Sequence, residues 1–268
     1  MYGFSSITIT FLLLALILAA NDVGYRLGRR GATHDEGEKA QTNAIQAAML
    51  GLLALLLGFT FTMALQRFDS RSQAVIDEAN AIGTAYLRVD LLPEQPQLAA
   101  RSHFREYVDL RLRAGEIDLT HTDARRKANA AISQLHGRLW SIALEASTLD
   151  PRPVTSGLFT QSINELIDAY SRRDAALKKH VPEIVLWLLF SVFVIAGAVL
   201  GYAGGLAGAR PFVATISMAV LIALVIFVII DLDRPRRGLI QVNQESMADL
   251  GALLAESNVP LRGGAAQY

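Results

Sequence analysis

NAIQAAMLGLLALLLGFTFTMALQRFDSRSQAVIDEANAIGTAYLRVDL, residues 43–91, decides the fold. Its first half lies in a span that carries no charge from Ala40 to Gln66, and the helical pattern runs on past Gln66 without a break signal. Gly51, Gly58 and Gly83 are its only helix weakeners, and the first proline of the chain is Pro93. At 1.5 Å per residue a helix over this stretch is roughly 75 Å long, more than twice the ~30 Å hydrocarbon core of a bilayer. The stretch therefore reads as one rod that crosses a membrane and continues into water.

The totals agree. The chain has 268 residues, 52% of them hydrophobic, and a mean hydropathy of +0.32, values that favour a membrane protein over a soluble domain. Its 25 basic and 25 acidic residues cancel, so no basic excess points to nucleic acid. Without cysteine there is no disulfide framework, thiolate metal site or thiol nucleophile. The histidines (His34, His103, His121, His136 and His180) show no HxxxH or HExxH spacing that would hold zinc.

In chain order, residues 7–20, extended by Phe4 and Val23, form a first span. A signal peptide would need a basic start, and MYGFSS has none. GYRLGRRGATHDEGEK (24–39) reads as a short exposed loop. The second span is the first half of the rod. The third covers 182–202 and opens on Pro182, a residue tolerated at a helix start. The short linker AGGLAGAR makes it a hairpin with the fourth, 211–230. Between spans two and three, helical spacing predicts helices over 98–113, 123–146 and 158–180, and no strand. The expected fold is all-α: four transmembrane helices with a helical cytoplasmic bundle inserted between spans two and three. The domains are then 1–65 (spans one and two), 66–181 (bundle), 182–230 (hairpin) and 231–268 (cytoplasmic tail). The last residues, 257–268, read as a mobile tail with no assigned role.

Four spans put both termini and the bundle on one side. That side carries Arg67, Arg71, Arg172, Arg173, Lys178, Lys179, Arg234, Arg236 and Arg237 near the bilayer, against Arg26, Arg29, Arg30, Lys39 and Arg210 opposite. The positive-inside rule places the bundle and termini in the cytoplasm of a multi-pass protein of the plasma (inner) membrane.

Little in the sequence carries covalent chemistry. Asp77 and Glu78 are adjacent on a helix, so they point apart and read as a solvated or inter-helix salt-bridging face. No GxSxG elbow, Walker loop or GxGxxG after a strand is present. No catalytic residue, cofactor or metal is assigned, and no enzyme is expected. Asp231 and Asp233 read as carboxylates compensated by the arginines that follow, since a calcium loop needs six or more oxygens. The middle of each span is free of Asp, Glu, Lys and Arg, against a proton-coupled transporter or a voltage sensor.

The spans themselves are more informative. Ala47, Gly51, Ala54, Gly58 and Thr62 form one stripe of span two, and Gly197, Gly201 and Gly205 repeat every four residues in span three. Helices associate in lipid by close approach over such residues, so both stripes are candidates for oligomer packing, with packing inside the subunit as the alternative for the glycines of span three. Beside the first stripe of span two runs a second: Asn43, Gln46, Leu50, Leu57, Phe61, Ala64 and Phe68. It could line a pore in which Leu57 and Phe61 form a constriction that gates by dewetting, or it could be bundle core or lipid-facing.

GFTFTMALQRFDSRSQAVIDEANAIGTAYLRVDLLPE (58–94), PEIVLWLL (182–189) and DLDRPRRGLIQV (231–242) resemble the bestrophin-like bacterial membrane proteins, a family classed as a domain of unknown function. The resemblance covers nearly the whole chain and brings no established activity. Its name leads to true bestrophins, pentameric anion channels with four spans, a helical cytoplasmic region between the second and third, and a pore lined by span two. Their neck is a run of apolar and aromatic residues at i, i+4, i+8, which Leu57, Phe61 and Leu65 match in spacing. Their calcium clasp is a longer acidic run than Asp231-Leu-Asp233. The function expected is a homo-oligomeric ion channel, a pentamer by this resemblance, whose partners are the bilayer, its own copies and an inorganic ion. The alternative is a non-conducting membrane-anchored interaction or sensor protein that acts through its bundle.

Overall fold

The structure, a computed structural model, describes residues 5–30, 36–118, 121–210, 212–234 and 238–256. Among them it is all-helical, with no strand: α1 (Ser6–Arg30), α2 (Glu36–Arg88), α3 (Glu94–Glu116), α4 (Thr122–Leu149), α5 (Leu158–Lys178), α6 (Glu183–Leu206), α7 (Phe212–Leu232) and α8 (Glu245–Glu256). Four of its helices are long and apolar enough to cross a bilayer. The 53-residue α2 is unbroken at Gln66 and ends, after a turn of 3-10 helix, just before Pro93. Residues 31–35, Pro211, 235–237 and 257–268, on which parts of the predicted loop, fourth span and tail fall, lie outside the described residues.

The chain divides into two compact units. The first comprises Met1–Phe68 and His180–Ile240 and holds α1, the start of α2, α6 and α7. Its core contains Leu13, Ile17, Leu53, Leu189, Phe190, Phe193 and Ile226, and a neighbouring cluster gathers Ala64, Val181, Leu186, Ile229 and Leu232. The pairing of α1 with α6 is the tightest in this unit. A Cβ on Gly24 would overlap the carbonyl oxygen of Ala198, one on Gly201 that of Asn21, and one on Gly205 that of Tyr25. Asn21 also donates from Nδ2 to the Gly197 carbonyl at 3.1 Å. Glycine is required here because the two backbones themselves are in contact.

This packing corrects two expectations. Residues 24–30 and 36–39, expected in an exposed loop, are helical: α1 extends to Arg30, with Gly24 and Gly28 buried against α6, and α2 begins at Glu36. Gly197, Gly201 and Gly205 meet α1 of their own subunit, so they are not open to a neighbouring copy. Four-residue spacing of glycine looks the same whether the partner helix belongs to the same chain or to another.

The second unit comprises Asp69–Lys179 and Gln241–Tyr268. The rest of α2 packs with α3, α4 and α5 around Ile82, Val89, Phe104, Tyr107, Ile132, Leu139, Phe159, Ile163 and Leu166. α8, within what read as a tail, adds Met247 and Leu254 to that core. Arg71 ties α5 to α2 by donating to the carbonyls of Ala176 (3.3 Å) and Lys179 at the α5 C-terminus. A cation there caps the carbonyl end of the helix and complements the helix dipole.

Gly201→Val should disrupt the first unit, since a branched side chain has to enter the Asn21 backbone. The expected loss is about 1–3 kcal/mol or more, read as a lowered melting temperature of full-length protein in detergent. Gly137→Ala, whose Cβ meets nothing within 4 Å, should melt no lower than the parent. Equal melting of Gly201→Val and the parent contradicts the α1–α6 contact.

Candidate functional site

The apolar part of α2 has two unlike faces. Leu53 and Ala64 are buried, and Leu50, Leu57, Phe61 and Phe68 are half-buried against the first unit's apolar clusters. Four of the seven residues expected to line a pore, together with the buried Ala64, thus pack within the subunit. The small-residue stripe is open: Ala47, Gly51, Ala54, Gly58 and Thr62 are all exposed, and Cβ atoms on Gly51 and Gly58 would meet nothing within 4 Å. Next to it, one turn apart, lie Leu55 and Phe59, with relative exposures of 54% and 64%. Helix periodicity detected both stripes but could not tell which one the subunit's own helices would cover.

The two remaining residues of the expected pore stripe, Asn43 and Gln46, line an open crevice of about 240 Å³ in the first unit, with Asn21, Tyr25, Leu200 and Arg210. Arg210 pairs with Asp22 and sits 4.6 Å from the centre of the Tyr25 ring. At the far end of α7, Asp231 and Asp233 are 1% and 2% exposed. Asp231 accepts the Ile240 N–H at 2.8 Å, and its carboxylate fills the space a Cβ on Gly238 would need. Asp233 accepts the Val181 N–H at 3.1 Å, just ahead of α6, with His180 Nδ1 3.5 Å away. The two aspartates thus clamp the α7 end to the start of α6 and to the returning chain. Among the described residues no group of three or more His, Cys, Asp or Glu side chains is placed to hold a metal.

In the second unit a cluster that the sequence reading missed surrounds Glu78 of α2. Its side chain is fully buried. Arg111 of α3 grips it with two N–H donors, Nε to Oε1 at 2.6 Å and Nη2 to Oε2 at 2.7 Å. Arg173 of α5 donates to Oε2 at 2.6 Å and, from its other amino group, to Gln244. Tyr107 donates to Oε1 at 3.3 Å, and His136 Nε2 lies 3.0 Å from the Tyr107 hydroxyl. Asp77, next door on α2, points outward as the sequence geometry required. The salt-bridging reading of this acidic pair holds for Glu78. Arg111 and Arg173 had a signal: each continues an apolar helical stripe, Phe104–Tyr107–Val108 and Ile163–Leu166–Ala169 respectively.

The Bestrophin-like domain matches residues 12–247. The chain belongs to the Bestrophin-like family. Its fold is similar to crystal structures of a bacterial Bestrophin homolog from Klebsiella pneumoniae bearing single substitutions. One has a TM-score of 0.68 at 15% identity, covering 93% of this chain and 97% of that one. Another has a TM-score of 0.65 at 16% identity, covering 95% and 99%. Among curated proteins none matches the sequence.

In this Bestrophin-like chain, burial acts most strongly on Glu78 and raises its pKa, yet Arg111 and Arg173 together bring it below its ordinary 4.5. Burial and the nearby Arg111 charge lower His136 from 6.5 to about 4. A pKa lowered by folding gives stability above the unfolded value and loses it as pH falls through the folded one. The second unit should therefore weaken as pH drops from 6.5 toward 4, while His136 is protonated, and again below 4.5 as Glu78 is. Glu78→Ala leaves two buried arginines without their carboxylate and should cost about 3–5 kcal/mol near neutral pH. Thermal melting of the full-length protein between neutral and acid pH checks both. A Glu78→Ala protein as stable as the parent at neutral pH contradicts the cluster's role.

Proposed function

We propose that this chain is the subunit of a homo-oligomeric ion channel in the plasma (inner) membrane, with α2 beside a central axis. The observation that carries the proposal is the open face of α2, on which a stripe of small residues runs next to Leu55 and Phe59. Small residues let helix backbones of neighbouring copies approach where lipid provides no hydrophobic drive. Large apolar side chains one turn apart, repeated around an axis, make a constriction that gates by dewetting. Family membership and the resemblance to bestrophin channels support the same reading, and a pentamer is the stoichiometry that resemblance implies. In this reading Ala47, Gly51, Ala54, Gly58 and Thr62 pack copies together. The constriction is assigned to Leu55 and Phe59 in preference to Leu57 and Phe61, which pack within their own subunit. The helices between α2 and α6 form a cytoplasmic bundle, with the termini on the same side, as the excess of basic residues there favours.

Purified full-length protein in planar bilayers tests the proposal. The parent should conduct, Phe59→Ala should raise the leak or open probability several-fold, and Phe61→Ala should change it less. A larger effect of Phe61→Ala returns the pore to the Leu57/Phe61 stripe. If no ion passes under any gradient, the channel reading fails.

A further inference from the structure

Four helices of the first unit frame the open crevice of about 240 Å³. α1 contributes Asn21 and Tyr25, the early part of α2 contributes Asn43 and Gln46, and α7 contributes Thr215 from its first turn. Leu200 and Ala203 of α6, with Ala207 and Ala209 just after it, make an apolar wall. Arg210 brings the charge. Its guanidinium lies 4.6 Å from the centre of the Tyr25 ring and 5.4 Å from that of Phe212, so α1 and the start of α7 hold it in place. Asp22 pairs with Arg210, but Arg26 grips the same carboxylate at 2.8 Å. Two arginines share one aspartate, and the cluster keeps one positive charge in excess. A guanidinium has five N–H donors, more than one carboxylate engages, and its planar fork matches the oxygens of a phosphate.

The crevice also has a floor. Asn21, Leu200 and Thr215 line a second, apolar pocket that reaches Ile17, Leu53 and Phe193, further from the helix ends. A charged head over apolar walls fits an amphiphile better than a free ion, which would leave those walls in contact with water. A bilayer supplies that chemistry as a lipid whose phosphate sits at the ends of the spans. Basic pockets between membrane helices take anionic headgroups for this reason.

We propose that this crevice binds an anionic phospholipid, its phosphate held by Arg210 with the amide side chains of Asn43 and Gln46, and its first chain carbons covering the apolar pocket. The site does not depend on the channel reading, since a non-conducting subunit would hold the same lipid.

Binding of phosphatidylglycerol to the purified full-length protein in detergent, read by native mass spectrometry and by melting temperature, tests this. Phosphatidylcholine, which has no net charge, and glycerol 3-phosphate, which has no chain, are the comparison ligands. Phosphatidylglycerol should raise the melting temperature and bind several-fold more tightly than either. Arg210→Gln should weaken its binding roughly fivefold, the effect of one basic residue near a membrane surface. Asp22→Asn breaks the same ion pair but frees Arg210 for phosphate, so it should bind at least as tightly as the parent. An arginine that only braced the helices would make the two variants alike. Equal binding by both variants therefore overturns the proposal, as does phosphatidylcholine binding as tight as that of phosphatidylglycerol. Should Arg210→Gln fail to fold, Asp22→Asn alone decides: weaker binding than the parent contradicts the assignment. Glycerol 3-phosphate binding as tightly as the lipid keeps the phosphate and overturns the lipid.

Discussion

A carboxylate with no exposed surface, held on α2 by two arginines, is the constraint on which the second unit depends. Glu78 can remain charged in an apolar core only because Arg111 and Arg173 approach it to 2.6 Å and supply three strong donors. Each partner comes from a different helix, so α3 and α5 are set against α2 by directional, charge-assisted bonds as well as by apolar packing. Removing one member costs more than the pair is worth, because the others are left charged and buried. Arg71, two turns earlier on the same side of α2, fixes the α5 C-terminus in a similar manner. Polar groups thus specify the register of helices whose apolar contacts alone would tolerate sliding.

In the first unit the corresponding role falls to glycine. Lipid tails and leucine side chains are equally apolar, so helices there gain by close approach. The glycines of α1 and α6 bring backbone to backbone, and Asn21 adds a hydrogen bond across the contact. Asp231 and Asp233 then fasten the far end of α7 to backbone N–H groups. With these contacts and the apolar clusters made, one side of α2 is covered and the other is not. The uncovered side carries the small residues, Leu55 and Phe59, the features on which the functional proposal is built.

Much of this was legible in the sequence. The all-helical class, the unbroken run through Gln66, the break at Pro93 and the family resemblance all rest on local pattern. What was not legible depends on which chain segment meets which. Glycines at 197, 201 and 205 announce a close contact without naming the partner, which proved to be α1. The stripes of α2 are adjacent on the helix, and which one is covered depends on residues from distant segments, among them Phe190, Phe193 and Ile226. Arg111 and Arg173 were visible as charges on apolar stripes, but their carboxylate lay on another helix. α8 is short and follows a charged segment, so its two buried residues looked like part of a tail.

The central claim is that the open side of α2 meets other copies of itself. The chain has no cysteine, so a single introduced thiol reports without background. Thiols placed by Thr62→Cys on the open side and Ala64→Cys on the covered side should behave oppositely toward a short bismaleimide in native membranes. The account predicts that the first links subunits into covalent multimers and the second does not. Monomers throughout, or linking through position 64 alone, would contradict it.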